Sequence, residues 1–245
     1  MILRRISDHL SKQHWTVVFL DFVIVVVGVF LGIQAANWNE SRRERVEERR
    51  YYAQILDDLR VDQKSLLRAQ QRADSFDAAA EETLRAMRTG PPQNVTPGRF
   101  AVQIYYAGFL YIPRPSRRTY DELISAGNLG LLRNEAAKAA IADYYESFDT
   151  LRQWDELLRM QQGHYWDVTS GVLPRSVLKA AIRDREPTLT AAEASQILSA
   201  LRARDGADDL LVGMAAHQER VRRDSEDLEE KGRDLIAKLE PLKAN

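Results

Sequence analysis

Apolar positions along the chain follow two regimes. From Trp15 to Ala36 they are continuous, WTVVFLDFVIVVVGVFLGIQAA, and Asp21 is the only formally charged residue among them. Helix rises 1.5 Å per residue, so about 20 residues cover the roughly 30 Å of a bilayer's hydrocarbon. The β-branched run Val23–Val27 favours strand in water. A lone strand in lipid leaves its backbone groups unpaired, so the pattern predicts a transmembrane helix over residues 15–38, with Trp15 and Trp38 at its two interfaces. A basic tail, residues 1–14, precedes it, and residues 39–245 form an extramembrane domain.

Beyond the span the pattern becomes periodic. No Pro or Gly interrupts Ile33 to Thr89, so the spanning helix can continue into water. Tyr52, Leu59, Leu66, Ala73, Ala80 and Met87 recur every seven residues, with Ile55, Asp62, Ala69, Phe76 and Thr83 as the offset series. This is a coiled-coil-like seam in which Asp62 and Thr83 are the weak points. Gly90-Pro91-Pro92 ends it.

Thr96-Pro97 predicts an N-cap and first helical residue for a short helix reaching about Phe109, before Pro113 and Pro115 break the chain. Ser116 is the expected cap of another short helix ending at Gly127, and Asn128–Gly130 reads as a turn. Asn134 opens a second long helix, and Thr190 with Glu193 forms a capping box for a helix over 191–202 after a shorter one near 175–183. Three long amphipathic helices, about 39–89, 134–170 and 207–240, carry apolar stripes, and no stretch reads as strand. The expected fold class is all-α: a bundle of three long helices closed by short ones. The seam could instead pair with its copy in a second subunit.

Asp21 is the anomaly in the span. On a helical wheel Asp21, Gly28 and Gly32 lie within about 40° of one another, with Val25 and Ala36 on the same side. Gly28 to Gly32 is also a GxxxG, which allows two helix backbones to approach closely. The face Asp21, Val25, Gly28, Gly32 and Ala36 is therefore the candidate helix-association surface, for a homo-oligomer or another membrane protein. The competing reading is that Asp21 reaches interfacial water and that the glycine spacing is chance.

Arg4, Arg5 and Lys12 would suit a cleaved signal peptide. The apolar run is much longer than the usual 7–15 residues, and cleavage after Ala35 or Ala36 would put Ile33 or Gln34 where a small residue is needed. An uncleaved anchor fits better. Arg42, Arg43, Arg45, Arg49 and Arg50 after the span favour a cytoplasmic domain, whereas the basic tail resists export and long domains cross regardless of charge. The balance leans to a periplasmic domain.

Composition removes several classes. The 35 basic and 36 acidic residues nearly cancel, so nothing points to nucleic acid. Cysteine is absent, which excludes disulfides, thiolate catalysis and Cys-ligated metals. No GxSxG, Walker-type loop, GxGxxG or HExxH occurs, so no catalytic residue, metal site or cofactor is expected. Of the four histidines, His9 and His14 flank the membrane, His164 has only Asp167 near it, and His217 falls on a core stripe. Tyr106, Tyr120 and Tyr145, with the local basic pair Arg117 and Arg118, are the candidate lining of a ligand pocket.

Two stretches together carry a resemblance. One runs from Asp21 through Gly28, Gly32 and Gln34 to Asn37-Trp38-Asn39-Glu40 and a charged helix; the other is Thr119-Tyr120-Asp121-Glu122-Leu123-Ile124-Ser125-Ala126-Gly127-Asn128-Leu129, continuing to Asp143-Tyr144-Tyr145. They resemble a family of uncharacterised bacterial single-pass membrane proteins, with Asp21 where that family usually has Glu and Gly32 where it often has Ala. The resemblance implies a helical body on the bacterial inner membrane; the family has no established activity, so it supplies no catalytic residues. The expected role is a non-enzymatic, membrane-anchored scaffold or partner subunit. The alternative is a ligand-sensing bundle that signals through its membrane helix.

Overall fold

The computed structural model describes residues 15–244, with side chains from 19 to 243. Expectations about the basic tail, His9, His14, the Trp15 side chain and Asn245 lie outside the described residues. Those described form an all-helical chain without strands. Helix α1 runs Trp15–Thr89, α2 Pro97–Tyr106, α3 Arg118–Ser125, α4 Glu135–Val168, α5 Arg175–Ala181, α6 Ala191–Arg202 and α7 Ala207–Ala244. The chain divides into two compact units, Met1–Arg50 and Tyr51–Asn245.

Caps explain most boundaries. Gly90, at φ 99°, takes the left-handed conformation that ends α1, and its N–H donates to the Ala86 carbonyl at 2.8 Å. Thr96 Oγ1 accepts from the Arg99 N–H, and Asn134 Oδ1 from the Ala137 N–H. Thr190 and Glu193 complete a reciprocal capping box. Four boundaries differ from expectation. Helix α2 stops at Tyr106 rather than near Phe109, and Gly108 just beyond it lies against the Tyr165 ring, where a Cβ would collide. Helix α3 starts at Arg118 without a side-chain cap, because Ser116 is used elsewhere. Asn128–Leu131 is one turn of 3-10 helix. Helix α7 continues past Pro241, which costs it one backbone hydrogen bond.

In the unit from Tyr51, all three long helices share one core. Tyr52, Leu59 and Leu66 of α1 meet Ile141 and Phe148 of α4 and Leu228 and Leu235 of α7. Each fully buried Leu or Phe contributes about 1.5–3 kcal/mol relative to exposure. A second core gathers α2, α5 and α6 around Phe100, Ile104, Val177, Ile197 and Leu201. The heptad seam of α1 is therefore filled from within the chain, and its alternative use, pairing with a second copy, finds it occupied. Both weak points of the seam are buried. Thr83 satisfies its hydroxyl on the Ala79 carbonyl at 2.7 Å, a back-bond within its own helix. Asp62 has no such local partner.

Candidate functional site

Helix α1, whose apolar run lies in the first unit, is the one helix among the described residues that is long and apolar enough to cross a membrane, and none of its most apolar stretch is buried. Every member of the face Asp21, Val25, Gly28, Gly32 and Ala36 is exposed. A Cβ built at Gly28 or Gly32 would meet nothing within 4 Å. A second backbone could thus approach this face closely without displacing any part of the chain.

The second unit holds a polar cluster of which the sequence singled out Asp62, Ser116 and Tyr145, each in a different role. Asp58 and Asp62 stand one turn apart on α1 and point at the segment leading into α3. Asp62 Oδ1 accepts the Ser116 backbone N–H at 2.7 Å, and its Oδ2 accepts the Tyr144 hydroxyl at 3.1 Å. Asp58 Oδ1 accepts the Ser116 hydroxyl at 2.7 Å, and its Oδ2 the Thr119 N–H at 3.2 Å. Tyr145 closes the cluster by donating to the Ser116 carbonyl at 3.1 Å. Ser116 is thereby held at its N–H, its carbonyl and its hydroxyl, which is why it is not free to cap α3. The two carboxylates at i and i+4, Asp62 within the seam and Asp58 beside it, were the available signal.

Burial dominates the electrostatics here. It raises Asp62 from its ordinary 3.8 to about 6; the Ser116 and Tyr144 hydrogen bonds oppose the rise, and the Asp58 charge adds to it. Tyr144 and Tyr145 are pushed far up, first by burial and then by the Asp62 charge. Both phenols therefore remain protonated donors. The cluster fastens a Pro-flanked segment to α1 and α4.

The residues grouped as one ligand pocket separate into two places. Tyr120 stacks on Tyr145 with ring centroids 4.4 Å apart. Arg117 lies over both rings, at 5.6 and 5.7 Å, and pairs with Asp149 at 2.6 Å and Asp121 at 3.3 Å. This guanidinium is fully engaged in packing, and Arg118 is exposed on the first turn of α3. Tyr106 belongs elsewhere. Its hydroxyl donates to Asp184 Oδ1 at 2.6 Å, and burial followed by that bond pushes its pKa up to about 12. Asp184 is held at φ 49°, a left-handed conformation that aspartate tolerates better than most residues. Tyr106 lines a cleft of about 480 Å³ with Ser75, Arg99, Gln103, Asp184 and Glu186, and Gln103 Oε1 is buried there without a hydrogen-bond partner. Tyr106 and the Tyr120–Tyr145 pair thus pack in different clusters of the bundle.

Among the remaining chemical groups, His164 is exposed. His217 contacts the Gln161 side chain, and burial lowers its pKa, with Arg220 contributing. Among the described residues no three His, Asp or Glu side chains are placed to hold a metal ion.

Fold and sites together define an all-helical chain with one helix fit to span a bilayer and a separately packed bundle. No protein-family model matches it, and neither does a curated protein or a solved structure.

Proposed function

We propose that this is a single-pass protein of the bacterial inner membrane that works by helix association. Residues 15–38 anchor it, and the face Asp21, Val25, Gly28, Gly32 and Ala36 packs against a second transmembrane helix, from another copy or another membrane protein. The bundle then serves as a scaffold or partner subunit without chemistry of its own. One observation carries this reading: a carboxylate and two glycines share an exposed face of a helix whose other faces are apolar. Ionisable side chains within bilayers are costly and face protein or water rather than lipid tails.

Disulfide crosslinking in membranes tests it, and the native chain contributes no cysteine background. Gly28→Cys and Gly32→Cys should crosslink efficiently, while Val26→Cys and Phe30→Cys on the far side should not. Equal yields from the two pairs would sink the proposal. The periplasmic placement of the bundle rests on the short basic tail and is read by a topology reporter fused at Asn245; a cytoplasmic signal would reverse it.

The cleft beside Tyr106 favours a second reading, a bundle that senses a small polar ligand. A thermal-shift screen that finds no stabilising compound, or finds one whose effect survives Gln103→Leu, would remove its support.

A further inference from the structure

Between Trp38 and Arg50, helix α1 carries five arginines and four glutamates, a near balance that reads as an ordinary solvated face. The helical register separates the two signs. Trp38, Arg42, Arg45 and Arg49 recur at steps of four, three and four, and at 100° per residue they fall within about 60° of one another. Glu40, Glu44, Glu47 and Glu48 gather on the other side, centred about 145° away, with Arg43 and Arg50 on one flank. Arg50 lies 3.6 Å from Glu47, at the boundary between the two sides. Most of the stripe is accessible: Trp38 is 65% exposed, Arg42 and Arg45 are exposed as well, and Arg49 is half-buried. The Arg42 guanidinium sits over the Trp38 ring, 5.9 Å from its centroid.

The position of the stripe along the helix matters as much as its charge. It begins at the indole that ends the apolar run, where aromatic rings favour the headgroup layer. From Trp38 to Arg45 the helix climbs about 10 Å, a little more than one headgroup layer, and Arg49 lies about 6 Å further on. Guanidinium groups present a planar fork that pairs with phosphate through two hydrogen bonds. The glutamates on the far side would be repelled by the same surface, so the helix has a preferred side to turn towards it.

We propose that the Trp38–Arg42–Arg45–Arg49 stripe is a binding surface for anionic phospholipid headgroups. Trp38 sits in the interfacial layer, Arg42 is stacked on it, Arg42 and Arg45 take lipid phosphates, and Arg49, about 16 Å beyond the indole, adds charge attraction from above the layer. This rests on the reading of residues 15–38 as a membrane span. A lipid surface is favoured over an acidic protein because the stripe is continuous with the apolar run and starts at its interfacial ring.

The test uses the full-length protein in micelles containing equal parts phosphatidylcholine and phosphatidylglycerol, with retained lipid quantified by mass spectrometry. The wild type should retain phosphatidylglycerol over phosphatidylcholine by roughly fivefold or more. The R42Q/R45Q/R49Q variant should lose that preference, while R68Q/R72Q/R85Q, on exposed positions of α1 in the bundle, should keep it. Glutamine preserves helix propensity, and an unchanged unfolding transition of the bundle will establish that the variants fold. Equal retention of both lipids by the wild type, or a preference that survives R42Q/R45Q/R49Q, would overturn the proposal. So would a co-purifying acidic membrane protein that this variant loses while lipid retention stays the same. Alkaline carbonate extraction separates the two readings. Pelleted protein without lipid preference would sink only the headgroup surface. Released protein with an arginine-dependent preference would sink only the span.

Discussion

Asp21 and Asp62 each interrupt an apolar stripe of helix α1, but the chain answers only one of them with a buried cluster. Asp62 is fully buried and accepts from Ser116 and Tyr144, whereas Asp21 is exposed on a face lined by glycine. The difference shows how to read a polar residue in an apolar pattern. Where the surrounding stripe is consumed by the chain's own core, the carboxylate belongs to the fold and takes part in fastening a loop. Where the stripe stays exposed over many turns, the carboxylate points outward, to whatever covers that stripe.

The widest separation between the regions should appear in stability. Leu66→Ala, in the filled seam, should cost about 2–5 kcal/mol in denaturant unfolding of the detergent-solubilised chain. Leu31→Ala, on the exposed span, should leave that transition where it is. Similar losses from both would erase the distinction between the two regions.

A second test concerns pH. The folded pKa of Asp62, about 6, lies above its ordinary 3.8, so the folded state holds the proton more tightly. Its stabilising contribution is present in full below about pH 4 and is lost as pH rises through about 6. Asp62→Asn keeps an acceptor oxygen but cannot ionise. Across that window the wild type should lose about 1–3 kcal/mol relative to the variant, measured by urea unfolding at stepped pH. A difference that is flat or rises with pH would contradict the assignment.

Asp21→Leu should leave the bundle's unfolding unchanged and weaken helix association in membranes by about 1 kcal/mol, read as crosslinking yield from Gly28→Cys. Unaltered association would detach Asp21 from that face. The smallest effect is expected at the surface. Arg60 pairs with Asp57 and Glu240, each at 2.8 Å and each substantially exposed, and Arg60→Ala should change stability by no more than about 0.5 kcal/mol.

Much of the architecture could be read one residue at a time. Thr96, Asn134 and the Thr190–Glu193 pair marked their helix starts because a cap is satisfied within three residues of itself. Asp62 announced itself as a break in the seam. Its partners did not, because Ser116 lies 54 positions away and Tyr144 lies 82. The same gap explains why Ser116 looked like a cap and why Tyr106 was grouped with Tyr120 and Tyr145. Adjacency in a loop says little about adjacency in space once two prolines have turned the chain.

The sequence by itself determined the helices, the starts marked by their own caps, the all-α class and the apolar run capable of spanning a bilayer. Helical hydrogen bonds link residues four apart, and hydrophobicity accumulates along a continuous run, so both are local properties. Only the tertiary structure decided that the α1 seam is filled by α4 and α7, that Asp58 and Asp62 secure Ser116 and Thr119, and that the aromatics form two clusters. Those outcomes depend on which distant surfaces exclude water together, and that is settled by packing the whole bundle.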